Sequence, residues 1–332
     1  MTFNIGIGEL NMGDLVTVYG GRGFIGRYIV QQLAREGYRI RVPSRRPNEA
    51  LFLKTYGTVG QVEPVFCNIR NKESISLAMH GSHYVINCVG ILDSVGKNKF
   101  DIIQNVGAKR IAQIASEMGV RKLVHISAIG ADINSKSKYS VSKGYGELNI
   151  LKHFASAIIL RPSIVFGSED NFFNRFASMA RLSPIIPLVG GNTKFQPVYV
   201  NDVAKAAVTS IKESRDSGIY ELGGPEILSF FELMKRMLRI IMRRRFILKL
   251  PFWTANIVST IFDIIKLVSG GLISGPITRD QVLNLGKDNI VSNSKKTFAD
   301  LNIEPLGLDI ILPDYLWKYR PEGEFSDPEK QN

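Results

Sequence analysis

Apolar positions in the first half of the chain follow two alternating rhythms. Short runs rich in Val, Ile and Tyr fall at Leu15–Tyr19, Arg39–Pro43, Val62–Cys67, Tyr84–Cys88, Leu123–Ile126 and Ala157–Leu160, and runs of that length and composition predict strands. Between them, apolar residues at helical spacing predict helices over Ile25–Arg35, Glu73–Met79, Asp101–Met118 and Tyr139–His153. Strand and helix in regular succession predict a parallel sheet covered on both faces, a doubly wound α/β fold.

After "LRPSIVFG" (160–167) the alternation stops. A smaller C-terminal domain is expected from there, interrupted by "PVYVNDVAKAAVTSI" (197–211), whose strand-then-helix pattern is expected to rejoin the main sheet. The expected division is 13–165 plus about 196–212 for the first domain, 166–195 plus about 213–318 for the second, and a flexible acidic tail over 319–332. Ser229 and Glu232 form a capping box ahead of an apolar stripe through Phe230, Met234, Leu238 and Ile241. A second apolar helix is expected in "LPFWTANIVSTIFDIIKLVSGGLI" (250–273), with Pro251 near its start.

Composition narrows the class. In 332 residues, a hydrophobic share of 45% supports a sizeable core. Cys67 and Cys88 both lie in strand-like runs and read as reduced core thiols. No stretch of about 18 uncharged apolar residues is present, so no membrane span is expected. The opening "MTFNIGIGELNMGD" has no arginine and is too polar for a signal peptide, which makes a cytoplasmic, bacterial protein the expectation. The net charge is +12. Much of it comes from Lys235, Arg236, Arg239, Arg243, Arg244, Arg245 and Lys249. Beside "FILKLPFW", that cluster over 229–273 suits an anionic membrane surface or an acidic subunit face. No recognised nucleic-acid motif accompanies it, and no nucleic-acid partner is expected. Helices that merely cap a pocket are the plain alternative.

The strongest local signal is "YGGRGFIGRYIV" (19–30), where Gly20, Gly23 and Gly26 follow an apolar strand and open a helix, with Gly21, Arg22, Phe24 and Ile25 between them. Such a turn approaches a pyrophosphate closely, and the helix N-terminus offers it free amides. The second strand ends "RVPSRRP". Ser44, Arg45 and Arg46 suit a 2′-phosphate, since guanidinium pairs with phosphate through parallel charge-assisted bonds. NADPH is therefore expected in preference to NADH, a solvated basic loop being the plain alternative. Asn68 and Ile69 at the third strand end, Val89 and Gly90 at the fourth, and Pro162 after the sixth complete the expected cofactor contacts.

"GGRGFIG", "ISAIGAD", "YSVSK", "LRPSIVFG" and "QPVYVNDVA" resemble the extended or atypical branch of the short-chain dehydrogenase/reductase superfamily, over about residues 13 to 225. "SKYSVSKGYGE", "FQPVYVNDVAKA", "LPFWTANI" and "GPITRDQVLNLGKDNIVS" are similar to the NAD(P)H-binding accessory subunits of respiratory complex I, extending the likeness to about residue 310. That resemblance implies a tightly held nicotinamide nucleotide without a known electron-transfer step. It also implies complex I subunits as partners and a peripheral place on the inner face of the cytoplasmic membrane. Asn68 replaces the Asp that relatives use to touch adenine.

The resemblance also gives Tyr139 and Lys143 two roles. In active relatives the tyrosine passes a proton to the substrate and the lysine binds the nicotinamide ribose. A third group, a Ser or Thr, orients the substrate oxygen. It is Ser127 in one register, and in the next it is Ala128 with no donor. Ser163, Asn171, Arg175 and Gln196 are candidate pocket residues that name no ligand. Two functions remain open: a non-turnover NADPH-binding subunit of complex I, and a free-standing reductase or epimerase acting on a small carbonyl compound or nucleotide sugar.

Overall fold

The structure, a computed structural model, describes residues 13–212, 216–254 and 278–326. Its strands are β1 (Leu15–Tyr19), β2 (Arg39–Ser44), β3 (Val62–Phe66), β4 (Tyr84–Asn87), β5 (Lys122–Ile126), β6 (Ile158–Pro162), β7 (Val165–Phe166), β8 (Ile185–Val189), β9 (Lys194–Phe195), β10 (Val198–Tyr199), β11 (Gly218–Leu222), β12 (Leu228–Ser229) and β13 (Phe246–Leu250). The longer helices are α1 (Phe24–Arg35), α2 (Lys72–Met79), α3 (Gly107–Glu117), α4 (Lys138–His153), α5 (Phe173–Leu182), α6 (Val200–Lys212) and α7 (Phe230–Ile240).

Among the described residues seven strands form the main sheet in the order β3-β2-β1-β4-β5-β6-β11. Every pairing in it is parallel. Every residue of β1 is buried, as a central strand covered on both faces requires. On one face α1 and α6 lay Ile29, Val30, Leu33, Val203 and Ala207 over the sheet. On the other, α2, α3 and α4 contribute Ile75, Met79, Ile111, Ala115 and Ile150. Each large apolar side chain buried this way stabilises the fold by about 1.5–3 kcal/mol. A third core, with Phe166, Phe173, Ile186, Phe230, Met234 and Leu312, joins α5, α7, β8 and the helix Leu308–Leu316.

The strands of the first half stand where the hydrophobic rhythm placed them, within a residue or so at their ends. Three features differ. The segment 197–211 forms the expected strand and helix, and α6 packs on the main sheet, but its two-residue strand β10 pairs with β7 outside that sheet. It is β11, expected in the smaller part, that extends the main sheet beside β6. The helix begun by the Ser229–Glu232 capping box ends at Ile240, and Met242 turns the chain with φ 52°. Arg243, Arg244 and Arg245 therefore lie in the connection to β13, where the Arg243 and Arg245 Nε atoms donate to the Tyr319 and Ala180 carbonyls. Arg236 pairs with Glu226 at 2.6 Å and Asp309 at 3.6 Å. The expected apolar helix over 250–273 falls mostly outside the described residues. Among those described, no helix is long and apolar enough to cross a membrane.

Candidate nucleotide site

At the sheet's carboxyl edge, β1 lies between β4 and β2. Chain connections diverge to opposite sides there, and such a divergence opens a crevice beyond the strand ends. The glycine turn fills its floor. Gly20 has φ +78°, and a Cβ on it would stand 2.9 Å from the Cys88 carbonyl carbon. A Cβ on Gly26 would stand 2.3 Å from the Gly20 oxygen. Helix α1 is preceded by Gly23 at its N-cap, with no side-chain cap and no acid in its first turn, so its amide end is open to an anion. This fit between a narrow backbone cradle and an uncapped helix suits a dinucleotide pyrophosphate.

Beyond β2 lies a cleft of about 400 Å³ lined by Arg22, Ser44, Arg45, Arg46, Glu49 and Asn98. Its arginines are already engaged. Arg45 donates to Asn98 Oδ1 at 3.1 Å, Arg46 to Glu49 Oε1 at 2.9 Å, and Arg22 to the other Glu49 oxygen. The Ser44 hydroxyl bonds the Arg46 carbonyl. At the end of β3 the Asn68 side-chain oxygen accepts from Arg70 N and Nε, and Ile69 is buried against Gly107. Val89 is half-buried and Gly90 exposed at the end of β4, while Pro162 is buried.

On α4, Lys143 is buried and its Nζ donates to the Ile126 carbonyl at 3.0 Å. A Cβ on Gly90 would lie 3.5 Å from that Nζ, which places the ammonium beside the cofactor crevice. Burial lowers the Lys143 pKa to about 8, against the opposing pull of Glu147 and Cys88. Beneath it, burial and then Lys143 hold His125 well below its usual pKa. Tyr139 stacks edge-on to Phe100 at 5.8 Å. Its phenol is pushed up to about 12, first by burial and then by Asp280, whereas an active relative's tyrosine is expected to be lowered. Ser127 is buried, and its hydroxyl donates to Glu147, which also pairs with Arg161 at 2.5 Å.

The start of α4, Ser163 and Gln196 are tied to the chain's own residues 280–291. Asp280, in the short helix Arg279–Asn284, accepts from Ser137 Oγ at 2.8 Å, Lys138 N at 2.6 Å and Tyr139 N at 3.1 Å. The Ser140 hydroxyl donates to Asn284 Oδ1 at 3.2 Å. Ser163 Oγ donates to the Asn289 side-chain oxygen at 2.7 Å, and Asn289 Nδ2 donates to Ile129 O at 3.3 Å. Gln196 gives its Nε2 hydrogen to Gly224 O and accepts from Val291 N at 3.0 Å. Asn171 and Arg175 are exposed. Sequence reasoning missed Glu49, Asp280 and Asn289. The first lies three residues past the quoted arginine pair. The second sits inside the visible capping box Thr278–Gln281. Among the described residues no group of three His, Cys, Asp or Glu side chains could hold a metal ion.

The fold and glycine turn define a dinucleotide-binding protein of the extended short-chain dehydrogenase/reductase type, and the model of the NAD dependent epimerase/dehydratase family matches residues 16–223. NADH dehydrogenase (ubiquinone) 1 alpha subcomplex subunit 9, mitochondrial, of Arabidopsis thaliana is 34% identical over 94% of this chain and 79% of its own length. The NADH-ubiquinone oxidoreductase 40 kDa subunit, mitochondrial, of Neurospora crassa is 31% identical over 95% and 82%. The UDP-glucose 4-epimerase of Thermus thermophilus in complex with NAD superposes with a TM-score of 0.58 at 21% identity, over 71% of this chain and 86% of that one. The chain belongs to the NAD dependent epimerase/dehydratase family, in the branch that holds these NADH dehydrogenase subunits.

These findings correct the expected preference for NADPH. The matching family is NAD dependent, and solved structures of this fold hold NAD. The arginines read as phosphate receptors are bonded to Glu49 and Asn98.

Proposed function

We propose that this protein binds NAD(H) and serves as an accessory subunit of respiratory complex I, holding the dinucleotide without turning it over. One observation carries the reading: the segment from Thr278 to Ser292 bonds α4 through Asp280, Ser163 through Asn289, and Gln196 through Val291, groups of the kind that would otherwise be free for a substrate. Gly20, Gly21, Arg22, Gly23, Phe24, Ile25 and Gly26 would hold the pyrophosphate, Ser44, Arg45, Arg46, Asn68 and Ile69 the adenosine half, and Val89, Gly90, Tyr139, Lys143 and Pro162 the nicotinamide half. Near full-length likeness to NADH dehydrogenase subunits supports the partner. The setting proposed is bacterial, at the inner face of the cytoplasmic membrane. Exposed Phe246, Leu248 and Trp253 beside Lys249 and the three arginines would form the peripheral contact. Complex I isolated from native membranes should carry the chain in constant ratio through native electrophoresis and release NAD(H) on denaturation. Migration apart from the complex would overturn the reading.

A second reading is kept alive by Tyr139 and Lys143, which share one face of α4 as proton transfer requires. When bound, the nicotinamide would supply or accept hydride, with Tyr139 passing the proton. Oxidation of NADH by a small carbonyl compound, abolished in Tyr139→Phe, would establish that enzyme reading in place of the inert subunit.

A further inference from the structure

Between β4 and α3 the chain leaves the carboxyl edge of the sheet and returns over residues 91–100. Both ends of that segment are pinned on the α4 side of the crevice. The Ile91 carbonyl accepts from Gln104 Nε2 at 2.8 Å, and Gln104, buried in the π-helical turn Asp101–Val106, accepts in turn from the Ser142 hydroxyl of α4 at 2.6 Å. Phe100 stacks edge-on to Tyr139, and its amide donates to Ser94 Oγ at 3.2 Å. Between the pins the segment closes a tight turn, Val95 and Asn98 exchanging backbone hydrogen bonds at 3.1 and 3.0 Å around Gly96, whose φ is +56°. Glycine takes that conformation at no steric cost, so the tip has a defined shape. From it the Asn98 side-chain oxygen reaches across to accept from Arg45 Nη1, after β2, at 3.1 Å.

Neighbouring strands lie about 4.8 Å apart, so β4 and β2, on either side of β1, stand about 10 Å apart. A bond from the connection after β4 to the residue after β2 therefore passes over the end of β1, where the glycine turn begins. Arg22 of that turn lines the same cleft as Arg45 and Asn98. We propose that residues 91–100 are a strap across the dinucleotide crevice, hinged at Ile91 and Phe100 and latched by Asn98 on Arg45, which unlatches for the nucleotide to enter or leave. The inference rests on the NAD(H)-binding reading and deepens it with a means of retention. Leu92 and Val95 are 60% and 46% exposed, so little apolar burial holds the strap down and the latch counts for more. The latch joins two groups of the protein itself. It therefore slows entry and exit alike, and a gate of this kind changes both rate constants while leaving the affinity nearly as it was.

The test is stopped-flow mixing of NADH, followed by its fluorescence, with the whole protein and with Asn98→Ala and Gly96→Val, beside trypsin cleavage after Lys97 and Lys99 in the free proteins. Thermal melting checks that each variant is folded. In both variants the association and dissociation rate constants should rise together by at least about threefold, as loss of one exposed bond to a charged group from an opening equilibrium implies. The equilibrium constant should stay within about twofold, and trypsin should cut faster by a similar factor to the rates. A faster dissociation alone, with affinity lost in proportion, would make Asn98 an ordinary contact of the nucleotide and overturn the gate. Smaller changes in the rates would overturn it as well. If the parent binds no NADH the cofactor reading falls, and trypsin then judges the strap: faster cleavage in the variants keeps the latch, and equal cleavage removes it.

Discussion

The two ends of the crevice are built in opposite ways. At the β1–α1 end the backbone is cleared of side chains, the helix amides are uncapped, and a cleft opens beyond β2. At the α4 end Lys138, Ser140, Ser163 and Gln196 are bonded to residues 280–291 of the same chain. In the proposed reading the difference separates a family's chemical residues from its chemistry: Tyr139 and Lys143 keep their spacing, while Asp280 caps the α4 terminus that carries Tyr139 and the Ser127 hydroxyl is bonded to Glu147.

The largest effect should come from filling the open end. Gly26→Val places carbon where only 2.3 Å separates a Cβ from the Gly20 oxygen, so the turn must move. Nucleotide affinity should fall by at least about 100-fold, with about 3 kcal/mol of stability lost to overpacking. Calorimetry and denaturant melts check both. Near-normal NADH binding would mean that the cradle is not where the anion sits.

Next in size is a cut at the closed end. Asp280→Ala leaves the Ser137 hydroxyl and the Lys138 and Tyr139 amides without their acceptor, at a cost of about 2 kcal/mol. Limited proteolysis should speed up between residues 278 and 292 while NADH affinity stays within about twofold. If affinity collapsed with it, the two ends would be one coupled site.

A pH series separates the ends by charge. The folded Lys143 pKa is about 8 against an unfolded 10.5. Below pH 8 both states carry the proton, and between about 8 and 10.5 the unfolded chain binds more protons, so stability rises with pH across that window. Tyr139, raised to about 12 from 10, works the other way above pH 10. Lys143 should therefore add a climb of roughly 2 kcal/mol from pH 8 to 10, opposed above pH 9 by Cys88, whose thiol burial raises to about 12, so the test is the difference between the parent and Lys143→Met profiles. Parallel profiles would show that the ammonium is not buried as described.

The periodicity of the first half made the sheet and its flanking helices legible, because a buried parallel strand and an amphipathic helix each leave a local signature. The glycine turn was legible for the same reason, its requirement being backbone space within one short run of chain. What escaped notice depends on contacts between distant positions. Asp280 reaches Tyr139 across 141 residues, and Ser127 is claimed by Glu147 across 20. The arginines after β2 looked like phosphate receptors because their nearest carboxylate, Glu49, enters the cleft from the next turn of chain. Likewise β10 looked like a sheet strand from its residues, while β11 won the edge of β6 by pairing, which periodicity does not encode.

The smallest effect should come from Tyr139→Phe, and its smallness is what makes it decisive. The tyrosine ring packs edge-on to Phe100, a contact that phenylalanine keeps, and its backbone amide, not its hydroxyl, is the group bonded to Asp280. Removing the hydroxyl therefore takes away neither the helix cap nor the aromatic contact. With the phenol pushed up to about 12, it also carries no charge near neutral pH that a cofactor phosphate or the Lys143 ammonium would feel. Stability should change by less than about 0.5 kcal/mol and NADH affinity by less than about threefold. Lys143→Met is expected to weaken binding more, because a charge beside Gly90 is lost. A loss of NADH affinity in Tyr139→Phe as large as that in Lys143→Met would make the phenol a principal grip on the bound dinucleotide, and the contrast between an open end and a closed one would have to be redrawn around it.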